Sequence, residues 1–73
     1  NIMKGQIKHQ IGDIVDIDFG MGGRLFCCYV SGVKYSGDKV YYNITLKVGS
    51  IEEDLFTEIK DVDSIFVKPT KDD

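Results

Sequence analysis

The chain has 73 residues, enough for a single domain, and a domain of this size buries only about 60% of the surface that its unfolded chain exposes. Nine Lys and Arg against twelve Asp and Glu give a net charge of -3, which excludes general attraction to nucleic acid and leaves only a local basic patch for that purpose. Hydrophobic residues make up 42% of the chain, which excludes a disordered polymer.

The N-terminal segment, residues 1–10, precedes the first alternating pattern. Asn1 and Ile2 look like additions ahead of an initiator Met3. No apolar run approaches the ~20 residues that a spanning helix needs, and no basic stretch followed by an apolar one suggests a secretory signal. These features predict a cytoplasmic protein with a β-domain over residues 11–68 and a frayed tail over residues 69–73.

The first predicted strand covers residues 12–19 and has one apolar face. Its inward residues are Val15, Ile17 and Phe19, and its outward residues are Ile14, Asp16 and Asp18. The following Gly20–Gly23 has three glycines in four residues, which favours a wide hairpin loop. Successive backbone N–H groups could also hold an anion there, but no helix follows and Arg24 is the one adjacent cation.

The second predicted strand runs from Arg24 to Val33 and is apolar on both faces. One face has Phe26, Cys28 and Val30, and the other has Leu25, Cys27 and Tyr29. A strand of this kind is either central in the sheet or covered on its outer face by the N-terminal segment or a second subunit. Gly32 predicts a bulge or bend.

The two cysteines, Cys27 and Cys28, are adjacent in the chain. A disulfide between neighbouring residues is incompatible with an ordinary strand, so they are not a staple. In a strand they face opposite sides, which predicts one buried thiol and one partly exposed thiol.

The third predicted strand, Lys39–Val48, follows a turn at residues 36–38 and has the most regular alternation in the chain. Its inward residues are Val40, Tyr42, Ile44, Leu46 and Val48, and its outward residues are Tyr41, Asn43, Thr45 and Lys47. An acidic connection then leads to a fourth strand, Leu55–Ile59. Residues 60–64 predict a turn or 3-10 helix, and Ile65–Val67 predicts a fifth strand that Pro69 stops.

This element order resembles that of the Src-homology-3-like and Tudor-like barrels. Residues 11–17, I-G-D-I-V-D-I, are similar to the G-D-x-V-x-V opening of such barrels, and residues 42–46, Y-N-I-T-L, resemble their Y-x-I-x-L third strand. Residues 55–56 and 63–66 also look like short barrels that phages and other mobile elements encode. The resemblance implies an all-β fold: a single five-stranded antiparallel barrel with a short 3-10 turn before the last strand. It implies no functional residues.

An exposed aromatic and apolar surface is the main candidate site. Its candidate partner-binding residues are Leu25, Cys27, Tyr29, Tyr35 and Tyr41. The resemblance to Tudor-like barrels adds the alternative of an aromatic cage for a methylated cation, assisted by Asp16 and Asp18. Ordinary cross-strand packing of tyrosines is the structural explanation of the same pattern.

The pattern predicts no catalytic, metal or cofactor site. His9 is the sole histidine and lies outside the domain, so a Cys–His pair is not indicated, and residues 52–54 are typical of a solvated acidic loop. We therefore expect a non-enzymatic module that binds a protein, or a second copy of itself, through one face of the barrel. The alternative is nucleic-acid binding by the second hairpin, where Lys34, Lys39 and Lys47 accompany the tyrosines.

Overall fold

A computed structural model describes residues 8–50 and 52–70 of the chain. Its strands are β1 (Ile14–Asp18), β2 (Arg24–Ser36), β3 (Lys39–Val48), β4 (Leu55–Asp63) and β5 (Val67–Pro69). They form one antiparallel sheet in the order β4-β3-β2-β1-β5. The all-β prediction with five strands is confirmed, and so is the short 3-10 turn before the last strand, Ser64–Phe66.

The sheet has two edges, β4 and β5. Across the described ranges, strand pairing joins neither edge to the other, so the sheet is not closed. A second 3-10 turn, Gly20–Gly22, connects β1 with β2. Within the part of the chain that the structure describes, no helix has the length and apolarity to pass through a membrane.

The core lies on one face of the sheet, which we call the inner face. Its buried residues come from all five strands: Val15, Ile17, Cys28, Val30, Val40, Tyr42, Ile44, Val62 and Val67. The predicted bounds of the third strand are confirmed, and Val40, Tyr42 and Ile44 are almost fully buried as predicted. Leu46 packs partly against the core, whereas Val48, also predicted inward, is 38% exposed. Burial of apolar area on this one face stabilises the domain. We call the opposite face the outer face.

Tyr42 joins the core to the end of the N-terminal segment. Its side chain is 1% exposed, and its hydroxyl oxygen accepts hydrogen bonds from the backbone N–H groups of Lys8 (3.3 Å) and His9 (3.2 Å). The His9 ring also packs edge-on against the Tyr42 ring at 5.7 Å. The end of the N-terminal segment thus packs on the domain, while residues 1–7 lie outside the described residues.

Three bulges interrupt the strand pairing. They fall between Val15 and Ile17 opposite β2, between Val30 and Gly32 opposite β3, and between Tyr42 and Ile44 opposite β4. A bulge inserts one extra residue, bends the strand and shifts its side-chain alternation. The bulge predicted at Gly32 is confirmed. No glycine marks the other two bulges in the sequence.

Asn43 lies at two of these bulges. Its Oδ1 accepts a hydrogen bond from the backbone N–H of Asp61 (3.1 Å), whose φ of 58° is left-handed, and its backbone oxygen accepts one from Ser31 Oγ (3.2 Å). Gly32 gives the Asn43 side chain its space, because a Cβ at residue 32 would lie 2.8 Å from Asn43 Nδ2. Asn43 and Gly32 therefore fit as a pair.

The predicted ends of β2 and β4 need correction, because each strand continues past a bulge. β2 continues past Val33 to Ser36, because its pairing with β3 resumes after the bulge and runs to the hairpin turn. β4 continues through residues 60–63, which were predicted as a turn, because Val62 pairs with Tyr42.

The predicted fifth strand also begins too early. Ile65 and Phe66 belong to the 3-10 turn, whose first N–H groups need a local acceptor. Asp63 Oδ1 provides it by accepting a hydrogen bond from the backbone N–H of Ile65 at 3.1 Å. The fifth strand therefore starts only at Val67.

We expect Gly32→Ala and Asn43→Ala to be non-additive. Gly32→Ala should destabilise the protein by about 1–3 kcal/mol through the clash with Asn43, and Asn43→Ala by a similar amount through loss of the Asp61 acceptor. In the double variant the clashing amide is absent. Its loss of unfolding free energy should therefore be at least about 0.5 kcal/mol smaller than the sum of the two single-variant losses. Urea unfolding of the four proteins measures this coupling, and strict additivity would contradict the paired fit.

We expect the stability contributed by Asp63 to be lost in acid. The hydrogen bond from Ile65 N–H, followed by the contact with Lys39 Nζ at 3.0 Å, lowers the pKa of Asp63. Its ionised form is thus favoured by folding, and this stabilisation is present above the unfolded pKa of about 4 and disappears as pH falls through the lower folded value.

The measurement is urea unfolding of the wild type and Asp63→Asn at a series of pH values. The wild type should be more stable at neutral pH, and the gap should close below pH ~4. Asp38→Asn, in the exposed β2–β3 turn, is the matched control. A gap for Asp63→Asn that stays constant with pH would contradict the assignment.

Candidate protein-interaction surface

The first bulge is held by a nearly buried carboxylate. Asp16 is 8% exposed, and its Oδ1 accepts a hydrogen bond from the backbone N–H of Cys27 at 3.0 Å. Cys27 has a left-handed φ of 55°, so its N–H leaves the regular ladder and needs this side-chain acceptor. Asp16 was predicted as an outward residue; it alternates with the inward Val15 and Ile17 as predicted, but its carboxylate binds the Cys27 backbone at the bulge and is almost fully buried.

The bulge also exchanges the faces of the two residues before it. Leu25 lies opposite Ile17 and packs against the core, whereas Phe26 is 62% exposed. The prediction that Phe26 points inward and Leu25 outward is therefore wrong. The extra residue at position 27 shifts the alternation, so Leu25 does not join a surface with Cys27 and Tyr29.

An exposed apolar surface results on the outer side of β1 and β2. Ile14 (46% exposed) lies directly opposite Tyr29 (44%), and Phe26 and Cys27 continue the exposed surface along β2. We call Ile14, Phe26, Cys27 and Tyr29 the outer patch. Strand pairing holds its backbone at Ile14 and Tyr29, and the Asp16 hydrogen bond holds it at Cys27.

Charged residues border one end of the outer patch. A small pocket there is lined by Asp16, Ile17, Asp18, Arg24, Phe26 and Lys68. Arg24 Nε lies 3.4 Å from Asp18 Oδ2, and Lys68 lies opposite Asp16 in the pairing of β1 with β5. The border thus has charges of both signs around the Phe26 ring.

The three candidate tyrosines do not form one surface. Tyr29 lies opposite Thr45 on the outer face, and Tyr41 is four residues further along β3, about 13 Å away at strand spacing. Tyr35 lies opposite the buried Val40, so it belongs to the inner face near the hairpin end, where it is 56% exposed. An aromatic cage built from these three rings does not match this placement.

The lysines of the second hairpin each contact an acidic residue at or beside β4. The Nζ atoms lie 3.4 Å from Asp61 for Lys34, 3.0 Å from Asp63 for Lys39 and 3.7 Å from Asp54 for Lys47. Lys39 Nζ is also 5.8 Å from the centre of the Tyr41 ring. These carboxylates reduce the positive potential that a phosphate backbone would need.

The glycine loop uses most of its donors internally. Gly20 N–H donates to Asp18 Oδ1 (2.8 Å), Gly22 N–H to the Phe19 carbonyl (3.3 Å) and Gly23 N–H to the Gly20 carbonyl (3.0 Å). An anion would compete with these bonds and face the Asp18 carboxylate. The loop geometry therefore favours a connection between strands over an anion site.

The cysteines behave as the strand parity predicted, one buried and one exposed. Cys28 is the buried thiol. Desolvation raises its pKa, with smaller contributions from Asp16 and Cys27, and this disfavours the thiolate form. Cys27 is exposed, with its Sγ 3.9 Å from Thr70 Oγ1. In residues 8–50 and 52–70, no three His, Cys, Asp or Glu side chains form a group that could hold a metal ion.

Sequence reasoning missed two members of the outer patch. Ile14 was placed on the outer face but not joined to Tyr29, since strand register was unknown, and Phe26 was placed on the wrong face. The one available signal was the double-sided apolar character of β2. Comparison with protein-family models finds no match, and comparisons with curated proteins and with solved structures also find none.

We expect the glycine and valine variants to have opposite orders of stability at two positions of β2. At Cys27, whose φ is 55°, Cys27→Gly should be more stable than Cys27→Val by about 1–2 kcal/mol, because a β-branched side chain opposes left-handed backbone. At Tyr29, in regular pairing with Ile14, Tyr29→Val should be more stable than Tyr29→Gly.

Urea unfolding of the four variants gives the two differences. The Tyr29 pair is the matched control, since it lies in the same strand and is also exposed. Greater stability of valine at both positions would contradict the left-handed bulge.

Proposed function

We propose that this protein is a non-enzymatic interaction module that binds a protein partner through the outer patch. The observation that carries the proposal is the exposed Ile14–Tyr29 pair, continued by Phe26, which is 62% exposed on β2. Exposed apolar residues that are contiguous and bordered by polar ones are typical of protein-binding surfaces. The chemistry fits a partner that inserts apolar side chains beside Tyr29 and Phe26 and meets charges of both signs near Arg24.

The fold supports a narrower assignment within the same proposal. We infer that the sheet is a variant of the Src-homology-3-like barrel, of the kind that phages and mobile elements encode, which stays open between β4 and β5. The strand order β4-β3-β2-β1-β5 and the 3-10 turn before β5 support this inference. Two free cysteines are consistent with the cytoplasm as its compartment.

Nucleic-acid binding through the second hairpin has less support. The lysines that would contact phosphates already lie beside Asp54, Asp61 and Asp63. Tyr29, which lies in β2 opposite Thr45, is also too far from Tyr41 for the two rings to stack neighbouring bases as one platform. The exposed apolar surface is therefore better explained by a protein partner.

The proposal is tested by affinity capture from the native cell with the wild type and a Phe26→Ser/Tyr29→Ser double variant. A partner captured by the wild type should be lost, or bound at least about tenfold more weakly, by the double variant, because aromatic residues dominate such interfaces. Tyr35→Ser, an exposed aromatic residue on the inner face, is the matched control and should retain the partner.

Circular dichroism should show that all variants are folded. Equal capture by the wild type and the double variant would contradict the proposal. Binding of single-stranded oligonucleotides that falls steeply with salt and is weakened by Lys34→Glu would instead favour the nucleic-acid function.

A further inference from the structure

β4 is a long and exposed edge of the sheet. It has nine residues, Leu55–Asp63, and within residues 8–50 and 52–70 it pairs with β3 alone. Leu55 is 51% exposed and Phe56 is 62% exposed. An antiparallel edge strand presents the backbone N–H and C=O groups of alternate residues outward, which makes it a template for another strand.

We propose that a second copy of this chain pairs antiparallel along β4, in the register centred on Thr57. In this register the two ends of residues 54–60, D-L-F-T-E-I-K, face complementary residues, while Phe56 lies opposite Glu58 of the second copy. In this register Asp54 lies opposite Lys60 of the second copy and Leu55 opposite Ile59 of the second copy. Because the arrangement is two-fold symmetric, each of these pairs forms twice.

The strand register places each pair on the appropriate face. Leu55 lies opposite Val48 and Ile59 opposite Ile44, so both belong to the inner face, and their pairing across the two copies continues the core. Asp54 and Lys60 share the parity of Phe56, which lies opposite Lys47, so the charged pairs form on the outer face. Asp54 immediately precedes β4, and although its Oδ1 lies 3.7 Å from Lys47 Nζ, its side chain is 90% exposed and thus accessible to a second copy.

Neighbouring registers bring like charges together. A register centred on Glu58 places that carboxylate opposite its own copy, and one centred on Phe56 places Asp54 opposite Glu58. Like charges directly opposite each other destabilise a sheet. The register centred on Thr57 is the one of these three in which every charged pair has opposite signs over residues 54–60.

The bulge at Asp61, opposite Tyr42 and Ile44, limits the length of the pairing. Asp61 has a left-handed φ of 58° and donates its N–H to Asn43, so the regular pairing of β4 with β3 is interrupted after Ile59, and Lys60 is the last residue before the left-handed position. The other edge, β5, has three residues and ends at Pro69, which has no N–H to donate. β4 is therefore the edge that suits self-pairing, and this inference does not depend on the outer patch.

Charge reversal tests the register. Sedimentation equilibrium should show a dimer of the wild type, and Asp54→Lys or Lys60→Asp alone should raise its Kd about tenfold, since each change affects two symmetric pairs. The double variant Asp54→Lys/Lys60→Asp should return the Kd to within about threefold of the wild type. Asp38→Lys, remote from β4 in the β2–β3 turn, is the matched control and should leave the Kd unchanged.

Cross-linking tests the centre of the register. In a Cys27→Ser background, Thr57→Cys should form an intermolecular disulfide under mild oxidation, because facing residues of antiparallel strands have the Cα separation of about 5 Å that a disulfide needs. Glu58→Cys should cross-link far less, since its counterpart in the second copy is displaced by about two residues along the strand.

Three results would overturn the proposal. One is a monomer at millimolar concentration, which is also expected if residues 1–7 of the same chain cover β4. Another is a dimer whose Kd responds to neither charge reversal nor restoration. The third is preferential cross-linking through Glu58→Cys. Phe26→Ser/Tyr29→Ser leaves β4 intact, so failure of partner capture and failure of self-pairing are distinguishable.

Discussion

The architecture depends on how two left-handed backbone positions satisfy their N–H groups. Cys27 and Asp61 each leave the regular pairing, and each donates its N–H to a side-chain oxygen on the neighbouring strand, from Asp16 and Asn43 respectively. An N–H shielded from water, as in the partly buried bond at Cys27, is costly without an acceptor, and left-handed backbone adds its own cost at both residues. These two side-chain acceptors make the bends in the sheet possible.

Each bend determines one of the two proposed interaction surfaces. The bulge at Cys27 turns Leu25 toward the core and Phe26 outward, which produces the outer patch. The bulge at Asp61 ends the regular part of β4 and confines self-pairing to the residues before it. A flat sheet of the same sequence would have a different inner face and a different edge.

The sequence predicts β3 well and β2 only in part. From Val40 to Val48 the alternation is unbroken, because the extra residues at the bulges lie in the strands on either side of β3. In β2 the bulge at Gly32 is visible from the glycine, but nothing in the local sequence marks Cys27 as left-handed. Its conformation comes from a hydrogen bond to Asp16, eleven residues earlier, which local patterns do not encode. For the same reason the outer patch contains Phe26 in place of the predicted Leu25. Of the other predicted residues it keeps Cys27 and Tyr29 but not Tyr35 and Tyr41, and strand register adds Ile14.

The close fit of Gly32 and Asn43 also bears on how the sequence can diverge. Asn43 provides the acceptor for Asp61, and its amide fills the space that a Cβ on residue 32 would need. A change at either residue is unfavourable until the other has changed. Among homologues the two positions should therefore covary, and a lineage that replaces Asn43 with a smaller residue becomes free to lose its glycine.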